Sequence, residues 1–225
     1  MVHKLIKIDI AFEELNISVN KILRKLKYKK DNAPEELIKA VYEEIEHSKN
    51  NYEFKAGYLI TDDFTLKDSI NIKGLIFNIG TELIDILNSS QYLILFVATA
   101  GSKVSRRNKI LSAGSLLLES YINDVIGNTI VESGSEILLK KIKKQYFPLK
   151  TTNRYSPGNC GWEEMDQKKF FSLFPDNFCG VTVNESQMMT PVKTINGIIG
   201  IGTNVEYRTS TCANCNSKNC IYRKN

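Results

Sequence analysis

Hydrophobic and polar positions divide the first fifty residues into one strand and two helices. Lys4–Ile10 alternates apolar and polar residues, as an edge strand does. Phe12–Leu26 carries apolar residues at helical spacing. A second helix is predicted from a cap at Asp31 or Asn32, with Pro34 in its first turn. The chain is therefore expected to begin with a strand followed by a helical segment.

The pattern becomes strand-like after these helices and then helical again. Three runs rich in β-branched and aromatic residues predict strands, and two amphipathic stretches predict helices. The strands are Phe54–Thr61, Ser69–Phe77 and Tyr92–Thr99, and the helices are Thr81–Leu87 and a long stretch from about Leu111 to Lys144. Ala100-Gly101 then predicts a tight turn with a close backbone approach.

Small and polar residues interrupt the apolar faces of the long predicted helix. Gly127 and Gly134 lie in its interior, where a glycine costs about 1 kcal/mol relative to alanine. They indicate either close packing against a neighbouring element or a surface that faces a ligand, and the pattern alone does not decide between the two.

Beyond Pro148 the chain is rich in loops. A short helix is predicted at about Asp166–Leu173, and strands at Gly180–Val183 and Thr194–Ile201.

Gly197, Gly200 and Gly202 are spaced loosely like a phosphate-binding loop. They lie in a strand pattern with no helix following, so we reject a dinucleotide site.

No linker, repeat or low-complexity segment divides the chain, so we predict a single domain over residues 1–225. Residues 1–50 form its N-terminal helical part and residues 205–225 a cysteine-rich tail. The strands come in runs and do not alternate strictly with helices. That order predicts an α+β fold with a twisted, mostly antiparallel sheet flanked by helices.

Composition and charge favour an ordinary globular protein. Of 225 residues, 42% are hydrophobic and 24% are charged, and the formal net charge is +5. The lysines cluster only modestly, at positions 25–30 and 140–144. We interpret both clusters as solvated faces that could help to dock an acidic partner, and we expect no nucleic-acid partner.

Nothing in the sequence predicts secretion or a membrane span. Met1–Asp9 contains no hydrophobic core of a signal peptide, and the most apolar run, Tyr92–Ala98, is too short to cross a bilayer. Five cysteines are an odd number, which fits a reducing compartment better than a disulfide framework. We therefore expect a cytoplasmic protein with no membrane partner.

Arg154 is the first candidate for ligand chemistry. It precedes the turn Ser156-Pro157-Gly158, so a guanidinium lies beside a rigid loop with exposed backbone groups. Such a site can hold a carboxylate through two parallel hydrogen bonds. An arginine that ties down its own loop would give the same pattern, and the residues alone leave both interpretations open.

A longer pattern around Arg154 resembles a known family. Residues 154–159 read R-Y-S-P-G-N; a short helix follows, then N-E-S-Q-M-M-T-P and the closing I-N-G-I. This arrangement looks like the activation domain of cobalamin-dependent methionine synthase, and most closely its free-standing single-domain form. The specific part covers Arg154–Gly202, and a weaker likeness extends over most of the chain.

The resemblance implies a shallow groove for S-adenosylmethionine, held by the arginine-glycine turn. It assigns Arg154, Pro157 and Gly158 to that groove. It also implies an acidic residue on the long helix, either Asp124 or Glu132.

Three further positions follow from the same resemblance. Glu185 and Ser186 belong to the matching segment and are candidate cofactor-binding residues. Asn159, also a candidate, stands where a tyrosine is typical of the family, and Thr194 stands where a serine is usual.

The family's role would be reactivation of a cobalamin-dependent methyltransferase. S-adenosylmethionine would methylate cobalamin carried by a partner, after one electron from a flavodoxin- or ferredoxin-like donor. In this interpretation the chain is a methyltransferase module of methionine biosynthesis. The alternative is a non-catalytic module that docks a corrinoid protein and supports its reduction.

The tail carries a second candidate site, Cys212-x-x-Cys215-x-x-x-x-Cys220. Two cysteines separated by two residues can bind one metal ion, and a third nearby adds another thiolate. The fourth ligand could be Cys160 or Cys179, or could be absent. Zinc would make the site a structural clasp, and an iron–sulfur cluster would make it an electron relay. Three unliganded thiols are the simpler alternative.

Overall fold

In the computed structural model, which describes residues 3–208, a five-stranded antiparallel sheet forms the centre of the fold. The strands are β1 (His3–Asp9), β2 (Lys55–Thr61), β3 (Phe64–Leu66), β4 (Ile70–Ile72), β5 (Leu75–Phe77), β6 (Tyr92–Thr99), β7 (Lys150–Thr151), β8 (Thr182–Val183), β9 (Met189–Thr190) and β10 (Thr194–Gly202). The central sheet has the order β1-β2-β6-β10-β7, while β3-β4-β5 and β8-β9 form two small sheets.

Helices cover this sheet on both sides. They are α1 (Val19–Lys25), α2 (Glu35–Asn51), α3 (Thr81–Leu87), α4 (Ser102–Ala113), α5 (Leu117–Gln145) and α6 (Gln167–Phe171). Single 3-10 turns lie at Phe12–Leu15, Lys30–Asn32, Glu164–Asp166 and Phe178–Gly180. None of the helices within residues 3–208 is both long and apolar enough to cross a membrane.

The sheet separates two hydrophobic cores, and strand β10 contributes to each. Ile199 and Ile201 pack with helices α1, α2, α4 and α5 on one face, whereas Ile198 packs with α3, β4 and the aromatic residues of the later loops on the other. Successive side chains of a strand point to opposite faces. Burial on both faces explains why β2 and β6 read as nearly continuous apolar runs.

Helix α5 is the longest element and crosses the first core. Its 29 residues extend about 44 Å at 1.5 Å per residue. A side chain at Gly134 would collide with the ring of Phe54, and one at Gly127 would collide with Val104 and Lys193. Both glycines therefore serve close packing, which answers the question that the sequence pattern left open.

The two edges of the central sheet differ. β1 lies outermost on one side; most of its side chains are exposed, Lys4 and Lys7 among them. β7 has only two paired residues, but the chain continues along β10 to a further bridge between Tyr155 and Ile198. This second edge is where the candidate ligand loop begins.

The predicted helix Phe12–Leu26 is wrong as one continuous element. It divides into a 3-10 turn and α1, because Asn16 adopts left-handed φ of 52° and Ser18 caps the next helix by accepting a hydrogen bond from the backbone of Lys21. Residues with short polar side chains tolerate such conformations and start helices.

The long predicted helix Leu111–Lys144 is likewise two helices. Gly114 and Ser115, the latter with φ of 59°, end α4 before α5 begins. The first part of α4 was missing from the sequence prediction, because only Val104 and Leu111 of that helix are buried and its hydrophobic pattern is weak.

The predicted strand Ser69–Phe77 is a hairpin. Lys73 and Gly74 have φ of 52° and 83°, the conformation that a tight two-residue turn requires, and they reverse the chain between β4 and β5. Gly101 supplies the expected turn after β6, with φ of 77°.

Candidate functional site

Arg154 spans the gap between the sheet edge and α5. The backbone around it follows β10, because the Thr152 N–H donates to the carbonyl of Gly200 and Tyr155 bridges Ile198. The Arg154 Nη1 donates to the hydroxyl of Ser135 on α5. Within residues 3–208 no carboxylate lies at ion-pairing distance from Arg154, so its guanidinium carries a positive charge that no acidic side chain of this region balances.

The loop after Arg154 is held by its own hydrogen bonds and by one buried aromatic side chain. Ser156 N–H donates to Asn159 Oδ1 at 3.2 Å, and Gly158 N–H donates to the carbonyl of Trp162 at 2.8 Å. Trp162 is 2% exposed and packs edge-on against Phe170. The loop therefore presents Gly158 and Asn159 to solvent on a fixed frame, with Pro157 half-buried.

Asn159 uses its side chain within this turn. An asparagine that accepts a hydrogen bond from the backbone three residues earlier closes a turn on itself. Asn159, at the position where the resembling family typically has a tyrosine, thus stabilises its own turn.

Asp124 lies on the same stripe of α5 as Ser135. Positions 124, 128 and 135 fall within about 40° of one another around a helix with 3.6 residues per turn. Lys193 Nζ lies 2.7 Å from Asp124 Oδ1 and 2.9 Å from Asn128 Oδ1. Asp124 and Ser135, the contact of Arg154, therefore lie about 16 Å apart along one stripe of α5, and we call the surface along this stripe the groove.

A small hydroxyl network places Lys193 at its end of the groove. Thr194 Oγ1 donates to Thr99 Oγ1 at 2.9 Å, and Thr99 in turn hydrogen bonds to the carbonyl of Lys193 at 3.1 Å. Ala100 N–H donates to the same carbonyl at 2.9 Å. Thr194, which stands where the family has serine, keeps this hydroxyl contact.

Glu132, the other acidic candidate, forms an ion pair with a lysine of α1. Its carboxylate lies 2.5 Å from Lys25 Nζ of α1, and its backbone carbonyl accepts from Ser135. Of the two acidic candidates, Asp124 is the one whose carboxylate lies beside Lys193 on the groove.

Glu185 and Ser186 lie in the exposed turn between β8 and β9. Glu185 pairs with Lys168 of α6 at 2.6 Å. In the described part of the chain, neither residue hydrogen bonds with α5 or with Arg154. Glu185 thus contacts α6, whereas Arg154 contacts α5.

The two described cysteines lie at different places. Cys160 is half-exposed in the loop after Arg154. Cys179 is 8% exposed in the second core, where burial raises the pKa of its thiol to about 11 against a smaller lowering by Lys7 and Lys55. Cys212, Cys215 and Cys220 lie outside the described residues, and residues 3–208 contain no cluster of three potential metal-binding side chains.

A cavity of about 600 Å³ lies next to the strand that leads to Arg154. Lys143 of α5 lies 3.7 Å from the centre of the Tyr207 ring at its wall. The Thr151 hydroxyl, which also lines the cavity, is buried and has no hydrogen-bond partner among residues 3–208. The cavity therefore lies at the C-terminal end of α5.

Sequence reasoning proposed Arg154 and Asp124 as candidates but did not propose their neighbours. Ser135 and Lys193 were not candidates, because their partners lie 19 and 69 positions away along the chain. Only the polar character of Asn128 within an apolar helix gave a signal.

Comparison with known proteins supports the fold. No protein-family model and no curated protein matches this chain. Among solved structures the chain is similar to the MetH reactivation domain bound to AdoHcy, with a TM-score of 0.70 and 12% sequence identity. The likeness covers 91% of this chain and 80% of that one. The expected α+β fold, with an antiparallel sheet and flanking helices, is confirmed.

Proposed function

We propose that this chain binds S-adenosylmethionine and supports the reductive methylation of cobalamin carried by a partner methyltransferase of the methionine synthase type. The observation that carries the proposal is the position of Arg154, on a groove of a fold similar to a domain that binds AdoHcy. AdoHcy is the product that S-adenosylmethionine leaves when it donates its methyl group. The same fold would then serve the same class of ligand.

The charge at Arg154 fits the amino-acid end of S-adenosylmethionine. Arg154, balanced by no acidic side chain of residues 3–208, can bind the methionyl carboxylate through its guanidinium fork. Asp124 lies about 16 Å further along α5, so it is too far to contact the ammonium or sulfonium of a ligand anchored at Arg154; it can accept a hydrogen bond from the adenosine end of the ligand. In the structure Asp124 pairs with Lys193, so binding requires Lys193 to move or to share the carboxylate.

The reaction depends more on positioning the methyl donor than on acid–base chemistry. One electron from a flavodoxin- or ferredoxin-like donor reduces cob(II)alamin on the partner to cob(I)alamin. The methyl group then passes from the sulfonium to cobalt, giving methylcobalamin and S-adenosylhomocysteine. The contribution of this chain is to hold the sulfonium methyl in line with its acceptor.

Calorimetric titration with S-adenosylmethionine is the first test. We expect saturable binding by the intact protein and a loss of about tenfold or more in affinity for Arg154→Ala, because a charged hydrogen bond contributes about 1.5–3 kcal/mol. Lys39→Ala is the matched control, since it removes an exposed cation of α2 whose ion pair is with Glu43, and it should leave binding unchanged.

A second titration separates the roles of the two groove ends. Adenosine has no methionyl carboxylate, so Arg154→Ala should leave its binding unchanged, whereas Asp124→Asn should weaken the binding of adenosine and of S-adenosylmethionine alike. Absence of binding in the intact protein, even with a corrinoid protein present, would contradict the proposal.

Two observations favour the docking alternative. The Asp124 carboxylate already forms an ion pair with Lys193. Asn159, at the position where the resembling family typically has a tyrosine, accepts a hydrogen bond within its own loop. A chain that no longer binds S-adenosylmethionine would still present its surface to a corrinoid protein. Acceleration of cobalamin reduction on that partner, without ligand binding, would identify this function.

A further inference from the structure

Large apolar side chains are exposed together where α4 turns into α5, at a surface that we call the hairpin tip. Its five residues, each between 47% and 69% exposed, are Ile110, Leu116, Leu117, Leu118 and Tyr121. Exposed apolar residues that are scattered singly are ordinary, whereas a contiguous group marks an interaction surface. The hairpin tip is therefore where we expect a partner to bind.

Hydrogen bonds fix the shape of the hairpin tip. The Leu116 N–H donates to the carbonyl of Leu111 at 2.9 Å, and the hydroxyl oxygens of Ser112 and Ser120 lie 3.0 Å apart. The apolar side chains are thus presented by a closed helical hairpin, and no segment of residues 3–208 covers them. A preformed surface of this kind loses little conformational freedom when a partner binds.

The surface beside the hairpin tip is basic. α4 carries four basic residues and no acidic one. Three of them, Lys103, Arg106 and Lys109, form no ion pair within residues 3–208 and are exposed. Glu119, the acidic residue of the first turn of α5, is half-buried, and its charge acts on Arg107. A complementary partner therefore carries acidic residues around an apolar centre.

Charge and shape decide which class of partner fits. A second copy in a two-fold interface would place two identical basic surfaces against each other, where like charges repel. A helix that lies in a membrane surface needs an apolar face along its length, whereas the outward face of α4 is polar up to Ile110. A small apolar centre with a basic border fits the interfaces of electron-transfer proteins, which are at the low end of interface size.

The hairpin tip adjoins the groove and lies outside it. Asp124 follows Leu117 by seven residues, about 10 Å along α5, and Ser135 lies about 16 Å further along the same helix. A corrinoid protein that covers the groove would leave the hairpin tip open at the end of the groove. A donor bound there would lie beside the protein that it reduces.

We propose that the hairpin tip is the docking surface for the electron donor, a small flavodoxin- or ferredoxin-like protein with acidic residues around an apolar centre. The inference rests on the proposed function, because that function requires a donor. In the encounter the donor is oxidised by one electron, and cob(II)alamin on the corrinoid protein is reduced to cob(I)alamin.

Biolayer interferometry with a flavodoxin and with a two-iron ferredoxin tests this surface. The full chain should bind one of them, with an affinity that falls as salt is added. Leu117→Gln combined with Tyr121→Gln should weaken binding about tenfold or more, because the centre of the interface is lost. Tyr42→Gln, at a similarly exposed tyrosine of α2, is the matched control and should leave binding unchanged. Binding of neither donor, or equal binding by the variant and the unchanged protein, would overturn the proposal.

A charge variant separates steering from contact. Arg106→Gln combined with Lys109→Gln should slow association and reduce its salt dependence, whereas Lys39→Gln, at an exposed lysine of α2, should do neither. An unchanged association rate in the first variant would contradict the role of the basic border.

The same variants distinguish the donor from other occupants. The assignment fails if the hairpin tip is needed instead for binding the corrinoid protein, for binding vesicles of equimolar phosphatidylserine and phosphatidylcholine, or for self-association of the chain. Titration of the intact protein with S-adenosylmethionine tests the proposed function separately, since the hairpin tip lies outside the groove.

Discussion

At the scale of single residues, burial changes the chemistry of several polar side chains. Tyr52 donates its hydroxyl proton to Asn123 Oδ1 at 2.5 Å and is 6% exposed. Burial, with a smaller contribution from Glu44, raises the pKa of this phenol to about 12. The neutral phenol is thus favoured in the folded state.

Stability should consequently fall at alkaline pH. An unfolded tyrosine ionises near pH 10, whereas folded Tyr52 stays neutral to about pH 12. The contribution of the neutral Tyr52 phenol to the free energy of unfolding is therefore complete below pH 10 and is lost as the pH rises towards 12. Urea unfolding across this range should show a shallower decline for Tyr52→Phe than for the unchanged protein. Tyr42→Phe, at a residue 57% exposed, is the control and should follow the unchanged protein; equal slopes in all three would contradict the prediction.

The same scale shows what the sequence can reveal about the candidate site. Arg154 and Asp124 were identifiable because a charged residue beside a glycine turn, or within a largely apolar helix, differs plainly from its neighbours. Their partners could not be identified from the sequence, because a hydrogen bond such as that between Arg154 and Ser135 depends on how segments that are distant in sequence pack together. The ion pair between Glu132 and Lys25 likewise could not be predicted from the sequence.

At the scale of elements, a buried ion pair joins α2 to α4. Glu44 is 3% exposed, and Arg107 donates to it through Nη2 at 2.6 Å and through Nε at 3.3 Å. The bond to Glu44 raises the pKa of Arg107. α4 has few buried apolar residues, so this pair is a main attachment of the helix to its neighbour.

Removal of the cation should therefore destabilise the protein strongly. Arg107→Ala leaves the Glu44 carboxylate buried without its partner, and such a loss costs about 3–5 kcal/mol. Lys39→Ala, which breaks the exposed pair with Glu43 on α2, should cost less than about 0.5 kcal/mol. Chemical denaturation of both variants measures the difference. If Arg107→Ala were as mild as Lys39→Ala, the pair would not hold α4.

Element boundaries were predictable where periodicity and turn residues agreed. Helix α3 and strand β6 were predicted with their observed bounds, Thr81–Leu87 and Tyr92–Thr99. The helix breaks at Asn16 and Ser115 were not predicted, because a residue other than glycine that adopts a left-handed conformation does not change the hydrophobic pattern visibly. A largely polar helix such as α4 is difficult to predict for the same reason.

At the scale of the whole molecule, the groove lies between two layers, since α5 supplies one wall and the sheet edge the other. A ligand held at Arg154 and Asp124 would bridge them and would bind only the folded chain. Strand order could not be read locally, since β10 pairs with β6 and β7 across large separations in sequence. Four of the five strands of the central sheet, β1, β2, β6 and β10, were nevertheless apparent from their hydrophobic patterns.

Ligand binding should accordingly raise the melting temperature of the entire domain. At one hundred times its dissociation constant a ligand adds about 2.7 kcal/mol, which for a chain of this size corresponds to roughly 5–10 °C. Differential scanning fluorimetry with S-adenosylmethionine measures the shift. Arg154→Ala should show little shift at the same ligand concentration, and a full shift in that variant would place the ligand elsewhere.

The outermost strand β1 also has a consequence for solubility. Its neighbour β2 is buried from Ala56 to Thr61, so a chain without β1 would expose an apolar, hydrogen-bonding edge to other molecules. β1 covers that edge and places Lys4 on one face and Lys7 on the other, where charge repels an incoming strand. The 7 residues of this strand thus protect the sheet against aggregation, and a truncation that removed them is expected to convert folded protein into insoluble, intermolecular sheet.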